Sequence, residues 1–400
     1  MRILTEASWA NKKALVRVDF NVPMDKSGNI TDDRRITASL PTIRYILAQG
    51  GALVLMSHLG RPKGERNLKY SLKPVADHLA KILNQEVLFA QDCIGEETES
   101  LCRNLKSGQI VLLENLRFYP EEEKGDKTFA EKLARLGNAY VNDAFGTAHR
   151  AHASTTTVAQ FFQEKYAGFL LQAEVENAQK VLSNAQKPFV AIMGGAKVAD
   201  KMQLIENLLP KIDALIIGGG MTYTFALAKG YEIGTSIRDA DHLEAVKVLL
   251  DKLLDKIEQS DIQFLLPTDT FVAEKALESC PTTLVPLNNM PQDQAGVDIG
   301  TDTITKAREI ILSAKTILWN GPMGVFEVPE YAKGTEAIAR LIVEATQKNG
   351  AYSLIGGGDS AAAIEQLGLV DQVSYVSTGG GALLEYMQGD VLPGIQALET

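Results

Sequence analysis

Two kinds of side chain in this sequence could handle phosphate: arginines in the first 150 residues, and lysines beside glycine turns in the rest. Arg35 in DDRRI, Arg61 in HLGRP, Arg117 in ENLRF and Arg150 in AHRAHAS each follow an apolar run or lie in a glycine-bearing loop, with His58 and His149 close by. A planar guanidinium forks onto two anionic oxygens at once, so several at one end of a sheet would form a pocket for a small anion. Singly, each reads as well as a surface arginine in a salt bridge; four at the same end of one sheet favour the pocket. Asp19 and Asn21, in RVDFNVP, could bond hydroxyl or carboxyl oxygens there.

The second half repeats a different device. Four apolar stretches end in consecutive glycines: AIMGGAK, LIIGGGM, SLIGGGDS and VSTGGGA. Without a Cβ the backbone can turn sharply and bring its N–H groups close to a ligand, and a helix starting there favours an anion. Lys197 and Lys201, four apart in GGAKVADK, are expected on one face at the start of a helix, where phosphate contact competes with plain solvation. Asp359 in GGGDS is expected in a first helical turn, as an N-cap or as a Mg²⁺ ligand.

The elements that must position these groups alternate from end to end. Strand-length apolar runs are 14–20, 52–57, 86–90, 109–114 and 139–144, then 189–193, 214–218, 263–267, 316–320, 352–356 and 373–377. Segments of helical period separate them, as at 71–84, where Leu72, Val75, Ala76, Leu79, Ile82 and Leu83 share a face. This pattern predicts α/β architecture, with parallel sheets covered by helices on both faces and ligands at the carboxyl ends of the strands. The polar and glycine clusters fall at those ends. A periodic segment over 170–188, closed by a proline, reads as a helix joining two domains. Two domains are also what 400 residues predict.

Charge supports a division of labour. The net charge is −10, yet residues 1–150 hold 22 Lys+Arg against 19 Asp+Glu, and 11 of the 14 arginines. An acidic total without a basic stripe argues against nucleic acid. No apolar run approaches a membrane helix, the N-terminus lacks an export-type apolar core, and Cys93, Cys102 and Cys280 form no CxxC pair, so a cytoplasmic setting is expected. GxxxxGK[ST] and GxSxG are absent. Residues 356–361 do read G-x-G-x-x-A, but no acidic residue stands near 375, which weakens a nicotinamide dehydrogenase reading. The other alternative is a non-catalytic sensor of nucleotide or phosphosugar.

Taken together, RVDFNVP, DDRRI, SHLGRP, ENLRF, NDAFGTAHRAHAS, GGAKVADK, GGGM, WNGPMGVFE, GGGDS, STGGGA and LPGI resemble the phosphoglycerate kinase family, in that family's order, from about residue 15 to the C-terminus. The resemblance implies two Rossmann-like αβα domains across a hinged cleft: 1–170 plus about 390–400 for 3-phosphoglycerate, a helix over 171–187, and 188–389 for nucleotide. It implies reversible transfer of the γ-phosphoryl of ATP to the carboxylate of 3-phosphoglycerate after domain closure, giving 1,3-bisphosphoglycerate and ADP, with Mg²⁺ as cofactor and a monomeric enzyme. Substrate contacts fall to Asp19, Phe20, Asn21, Arg35, His58, Leu59, Gly60, Arg61, Arg117 and Arg150. Nucleotide contacts fall to Gly195, Lys197, Lys201, Gly219, Gly220, Asn320, Glu327, Gly356, Gly357, Gly358, Asp359 and Ser360, with Asp359 on the metal. Arg35, Lys197, Gly357 and Gly380 take the transfer itself. The same resemblance sets GGGM beside the adenine. Arg35 is chosen over its neighbour Arg34 because the family motif has arginine directly before isoleucine, and Ser360 stands where threonine is common.

Overall fold

The strands of the first half, apart from the two short edge strands, are buried on both faces, and for that reason they read as continuous apolar runs rather than as alternation. In the computed structural model, which describes residues 1–259 and 262–399, they are β1 (Lys13–Val18), β2 (Ala52–Met56), β3 (Leu88–Phe89), β4 (Ile110–Leu112), β5 (Ala139–Asp143) and β6 (Lys165–Ala167). Ser260, Asp261 and Thr400 lie outside the described residues, and with Thr400 the last position of the expected 390–400 segment. The order is β3-β4-β2-β1-β5-β6, every pair parallel, with Leu15 registered against Val54 on one side and Tyr140 on the other. The helices Arg34–Ala48 and Lys73–Leu83 pack Ile36, Ile43, Val75 and Leu79 onto Val16, Leu53 and Leu55.

Chain contacts divide the molecule into two compact units, Met1–Glu176 with a segment from Asp390 onward, and Asn177–Gly389. The division falls inside the helix Phe169–Leu182. Asp143, at the end of β5, caps that helix by accepting the Leu170 and Leu171 N–H groups at 2.9 and 3.3 Å. The helix stops at Leu182, short of the expected 187. Its last turn closes with the Ser183 and Asn184 N–H groups both on the Gln179 carbonyl, and Lys187 precedes Pro188, a position unfavourable to helix. The C-terminal segment belongs to the first unit, where the Gly394 N–H bonds the Ala148 carbonyl at 2.8 Å.

In the second unit lie β7 (Phe189–Met193), β8 (Ala214–Ile217), β9 (Gln263–Leu265), β10 (Asp269–Ala273), β11 (Thr283–Pro286), β12 (Ala295–Ile299), β13 (Thr316–Asn320), β14 (Tyr352–Gly356) and β15 (Tyr375–Val376). Six form a parallel sheet, ordered β15-β14-β13-β7-β8-β9, over a core centred on Trp319, Ile317, Ile338 and Ile355. The other three form a small antiparallel sheet, β11-β10-β12, which the sequence pattern does not predict. Its runs are interrupted by polar residues, Asp269 and Thr270 in β10 and Asp298 in β12, and β11 is largely exposed.

Candidate functional site

Loops at the carboxyl ends of β1, β2, β4 and β5 carry the expected basic groups. Arg35, in the first turn of its helix, pairs with Asp19, the residue after β1. Loops β1 and β2 are tied together: the Phe20 N–H donates to Ser57 Oγ at 2.8 Å, and the Gly60 N–H to Asn21 Oδ1 at 2.8 Å. Asn115 clasps the third loop by taking the Leu59 and Arg117 N–H groups on its Oδ1, at 3.2 and 3.0 Å. Arg117 is buried, donates to the Gly60 carbonyl at 2.9 Å, and keeps a buried Nη2 without a hydrogen-bond partner. Phe20 and Leu59 are buried in the core, so only their backbone could face a ligand, while Arg61 is exposed on the loop after β2.

Electrostatics show which arginines meet. Burial lowers the pKa of His58 far below the usual imidazole value, and the charges of Arg17, Arg117, Arg150 and Arg35 push it the same way. Burial likewise brings His152 down to about 4, helped by Arg117, Arg17 and Arg150. Arg117 itself falls to about 10, chiefly through burial, although Glu123 opposes the shift. So much like charge around two neutral histidines is costly in an apoprotein and suits an anion. Arg150 donates from Nε to His149 Nε2 at 3.2 Å. Two members of this cluster, Arg17 and His152, are absent from the sequence expectation. A cation inside the apolar run ALVRVDF was the available signal for Arg17.

In the second unit the glycine turns interlock. The Gly195 N–H bonds the Pro322 carbonyl at 2.9 Å, the Gly219 N–H bonds Met323 at 2.9 Å, and the Met221 N–H bonds Gly195 at 3.0 Å. A Cβ on Gly219 would come within 2.6 Å of the Gly195 nitrogen, and one on Gly321 within 2.2 Å of the Gly194 oxygen. Close backbone approach therefore requires several of these glycines whether or not a phosphate touches them. A cavity of about 400 Å³ opens above them and gathers Gly195, Gly219, Gly220, Glu327 and Asp359 with Tyr223, Ile237 and Val297. Small backbone on one wall and apolar side chains on another leave room for a flat ring. Gly357 and Gly380, both at positive φ, are the N-cap residues of the helices Gly358–Gln366 and Gly381–Met387, whose first N–H groups point away from the helix body.

Two expectations change. Lys197 and Lys201 do not share a helical face: Lys197 is exposed in an irregular stretch, and a 3₁₀ turn over Ala199–Lys201 carries Lys201 inward, beside Gly195. Burial lowers the Lys201 pKa against the pull of Asp200 and Asp359. Ser360 is fully buried, and its hydroxyl accepts the Gly321 N–H at 2.5 Å, so it clasps two loops rather than facing the cavity. Asn320 is buried as well, with its amide against Gly356 and Gly357. Asp359 is exposed in the first turn of its helix. No group of three or more His, Cys, Asp or Glu that could hold a metal ion exists among the described residues. A cation at Asp359 would thus complete its shell with ligand phosphates and water, which suits Mg²⁺.

Comparison with known proteins bears on the whole chain. A family model for phosphoglycerate kinase matches residues 4–390. The chain belongs to the phosphoglycerate kinase family. Phosphoglycerate kinase of Chloroherpeton thalassium is 49% identical over 399 residues, covering 100% of this chain and 99% of that protein. The cytosolic phosphoglycerate kinase 3 of Arabidopsis thaliana is 49% identical over 396 residues, covering 99% of this chain and 97% of that protein. The solved phosphoglycerate kinase of Coxiella burnetii superposes with a TM-score of 0.87 at 39% identity, over 99% of this chain and 98% of the other. The α/β fold and the phosphotransferase class follow from family membership. Neither a dehydrogenase nor a non-catalytic reading has support beside it. No helix among the described residues is long and apolar enough to cross a membrane.

Proposed function

We propose that the chain performs its family's reaction, reversible phosphoryl transfer between ATP and the carboxylate of 3-phosphoglycerate, with the basic cluster of the first unit holding the phosphoglycerate. The observation that carries this assignment is the convergence of Arg17, Arg35, Arg117 and Arg150 on the buried, neutral His58. Arg117, with an unpartnered buried Nη2, has a donor to offer an anionic oxygen. Asp19 and Asn21 would orient the acceptor, and Arg61 would close over its phosphate.

The acceptor is a carboxylate, ionised at neutral pH, so the residues need not supply a general base. Their task is positioning and neutralisation of oxygen charge. Arg35 and Lys197 are assigned the equatorial oxygens of the moving phosphoryl, and Gly357 and Gly380 their backbone N–H groups. Lys201 and Gly195 take the nucleotide phosphates, Glu327 the ribose, and Gly219 and Gly220 the wall beside the base. Mg²⁺ on Asp359, when bound, supplies charge neutralisation at the phosphate oxygens. The cytosolic relative supports a cytoplasmic location. We further infer a monomer that binds neither nucleic acid nor membrane.

Arg61→Ala tests the pocket. It should raise the KM for 3-phosphoglycerate much more than that for ATP, and equal effects would mean that the pocket is misplaced.

A further inference from the structure

Arg17 is fully buried in β1, and its position is fixed from behind. Its Nε donates to Ser154 Oγ at 2.8 Å, and that hydroxyl donates to Glu122 Oε1 at 2.5 Å. Glu122 is itself fully buried, takes the Ser154 N–H on its other oxygen at 2.9 Å, and is the carboxylate at the rear of this chain. At the front, Arg17 Nη2 lies 3.2 Å from His58 Nδ1. A guanidinium has five donors and no acceptor, so this contact is a hydrogen bond only if Nδ1 carries a lone pair. Asp19 Oδ1, the nearest carboxylate oxygen on that side, is 3.9 Å from Nδ1, too far to take a proton from it.

We propose that Arg17 is a positioning residue: the Glu122–Ser154–Arg17 chain locks His58 as the neutral tautomer with its proton on Nε2, so that His58 donates a hydrogen bond to an oxygen of the bound phosphoglycerate. The inference rests on the substrate-pocket reading for its last clause only. A proton on Nδ1 would face the Arg17 cation and leave Nε2 an acceptor, unable to bond the carboxylate and phosphate oxygens of the ligand, which only accept. The charged groups facing the ring agree with this. Burial is the main opponent of a second proton, the charges of Arg17, Arg117, Arg150 and Arg35 act in the same sense, and Asp19 is the one carboxylate close to the ring among the contacts described above. The neutral donor adds no charge of its own, and the arginines supply the attraction.

Nitrogen-15 spectra of the histidine-labelled full chain, with His58→Gln to identify the resonances, read the tautomer directly. In the free wild-type protein His58 should show a pyridine-type Nδ1 and a pyrrole-type Nε2 from pH 5.5 to 8, without titrating near the ordinary value of about 6.5. A proton on Nδ1, or titration in that range, would overturn the proposal. Arg17→Met should mix the two neutral tautomers, the ring staying uncharged because burial and the other three arginines remain, and lower kcat/KM for 3-phosphoglycerate by roughly tenfold to a hundredfold. Arg17→Lys, which keeps a donor, should recover the Nε2–H form. Loss of activity in Arg17→Met with the tautomer unchanged would refute a role through His58. If Arg17→Met does not fold, the wild-type spectrum still decides. Addition of 3-phosphoglycerate should shift Nε2, and a ring that keeps the stated tautomer yet ignores the ligand would refute the pocket instead.

Discussion

Gly321→Ala separates the two explanations of the glycine turns. Gly321 adopts φ +95°, and an added Cβ would lie 2.2 Å from the Gly194 oxygen, 2.3 Å from its carbon and 2.9 Å from the Gly195 nitrogen, all backbone atoms of the GGAK turn. No flexible side chain can yield. The backbone conformation costs about 1–2 kcal/mol for a residue with a Cβ, and the overpacking about 1–3 kcal/mol more. A loss of roughly 2–5 kcal/mol from a unit the size of Asn177–Gly389 lowers its melting temperature by roughly 4–20 °C. Gly358→Ala is the control: nothing lies within 4 Å of its Cβ position, and it opens a helix. That variant should melt at or above the wild-type temperature, with any effect confined to the KM for ATP. Calorimetry and steady-state kinetics on both variants make the check. Wild-type melting of Gly321→Ala would refute the claim that close backbone approach explains this glycine.

Other expectations follow from single contacts. Ser360→Ala leaves the buried Gly321 N–H unpaired and should cost about 1–3 kcal/mol in denaturant unfolding; a raised KM for ATP at unchanged stability would restore Ser360 as a ligand contact. Burial raises Asp143 from 3.8 to about 7, so between pH 4 and 7 the folded chain holds a proton that the unfolded chain lacks. That contribution, a few kcal/mol at most, is complete below about pH 4 and lost as pH rises through about 7. The melting advantage of wild type over Asp143→Asn should therefore shrink between pH 5 and 8, and parallel curves would contradict it. His152 goes the opposite way: held at about 4, it makes folding favour the neutral ring, with stability lost as pH falls from about 6.5 through 4. Bound 3-phosphoglycerate should offset the arginine charge and raise that pKa, which NMR titration would detect.

Burial on both faces made the central strands legible: β7, β13 and β14 coincide with their apolar runs to the residue. β6 is three residues beginning with a lysine and β11 is largely exposed, while β10 and β12 are buried but hold Asp269, Thr270 and Asp298, so none of them makes a continuous apolar run. Loop positions of the arginines followed from strand ends. Their neighbours did not, since Ser154 and Glu122 reach Arg17 across long stretches of chain. Helical spacing misplaced Lys201 because a 3₁₀ turn, which a period of 3.6 cannot describe, rotates it inward. Ser360 shows a similar limit: a hydroxyl beside glycines reads as a phosphate ligand, and only the tertiary contact with Gly321 shows its other use.

Phosphoryl transfer to a carboxylate is the activity proposed for this chain. Trapping with hydroxylamine tests it most directly: the purified chain, given ATP, Mg²⁺ and 3-phosphoglycerate, should form acyl phosphate recovered as the hydroxamate, dependent on all three. Lys197→Ala should lower that rate through kcat with modest change in either KM. Folded wild-type protein that yields no hydroxamate under these conditions would contradict the account.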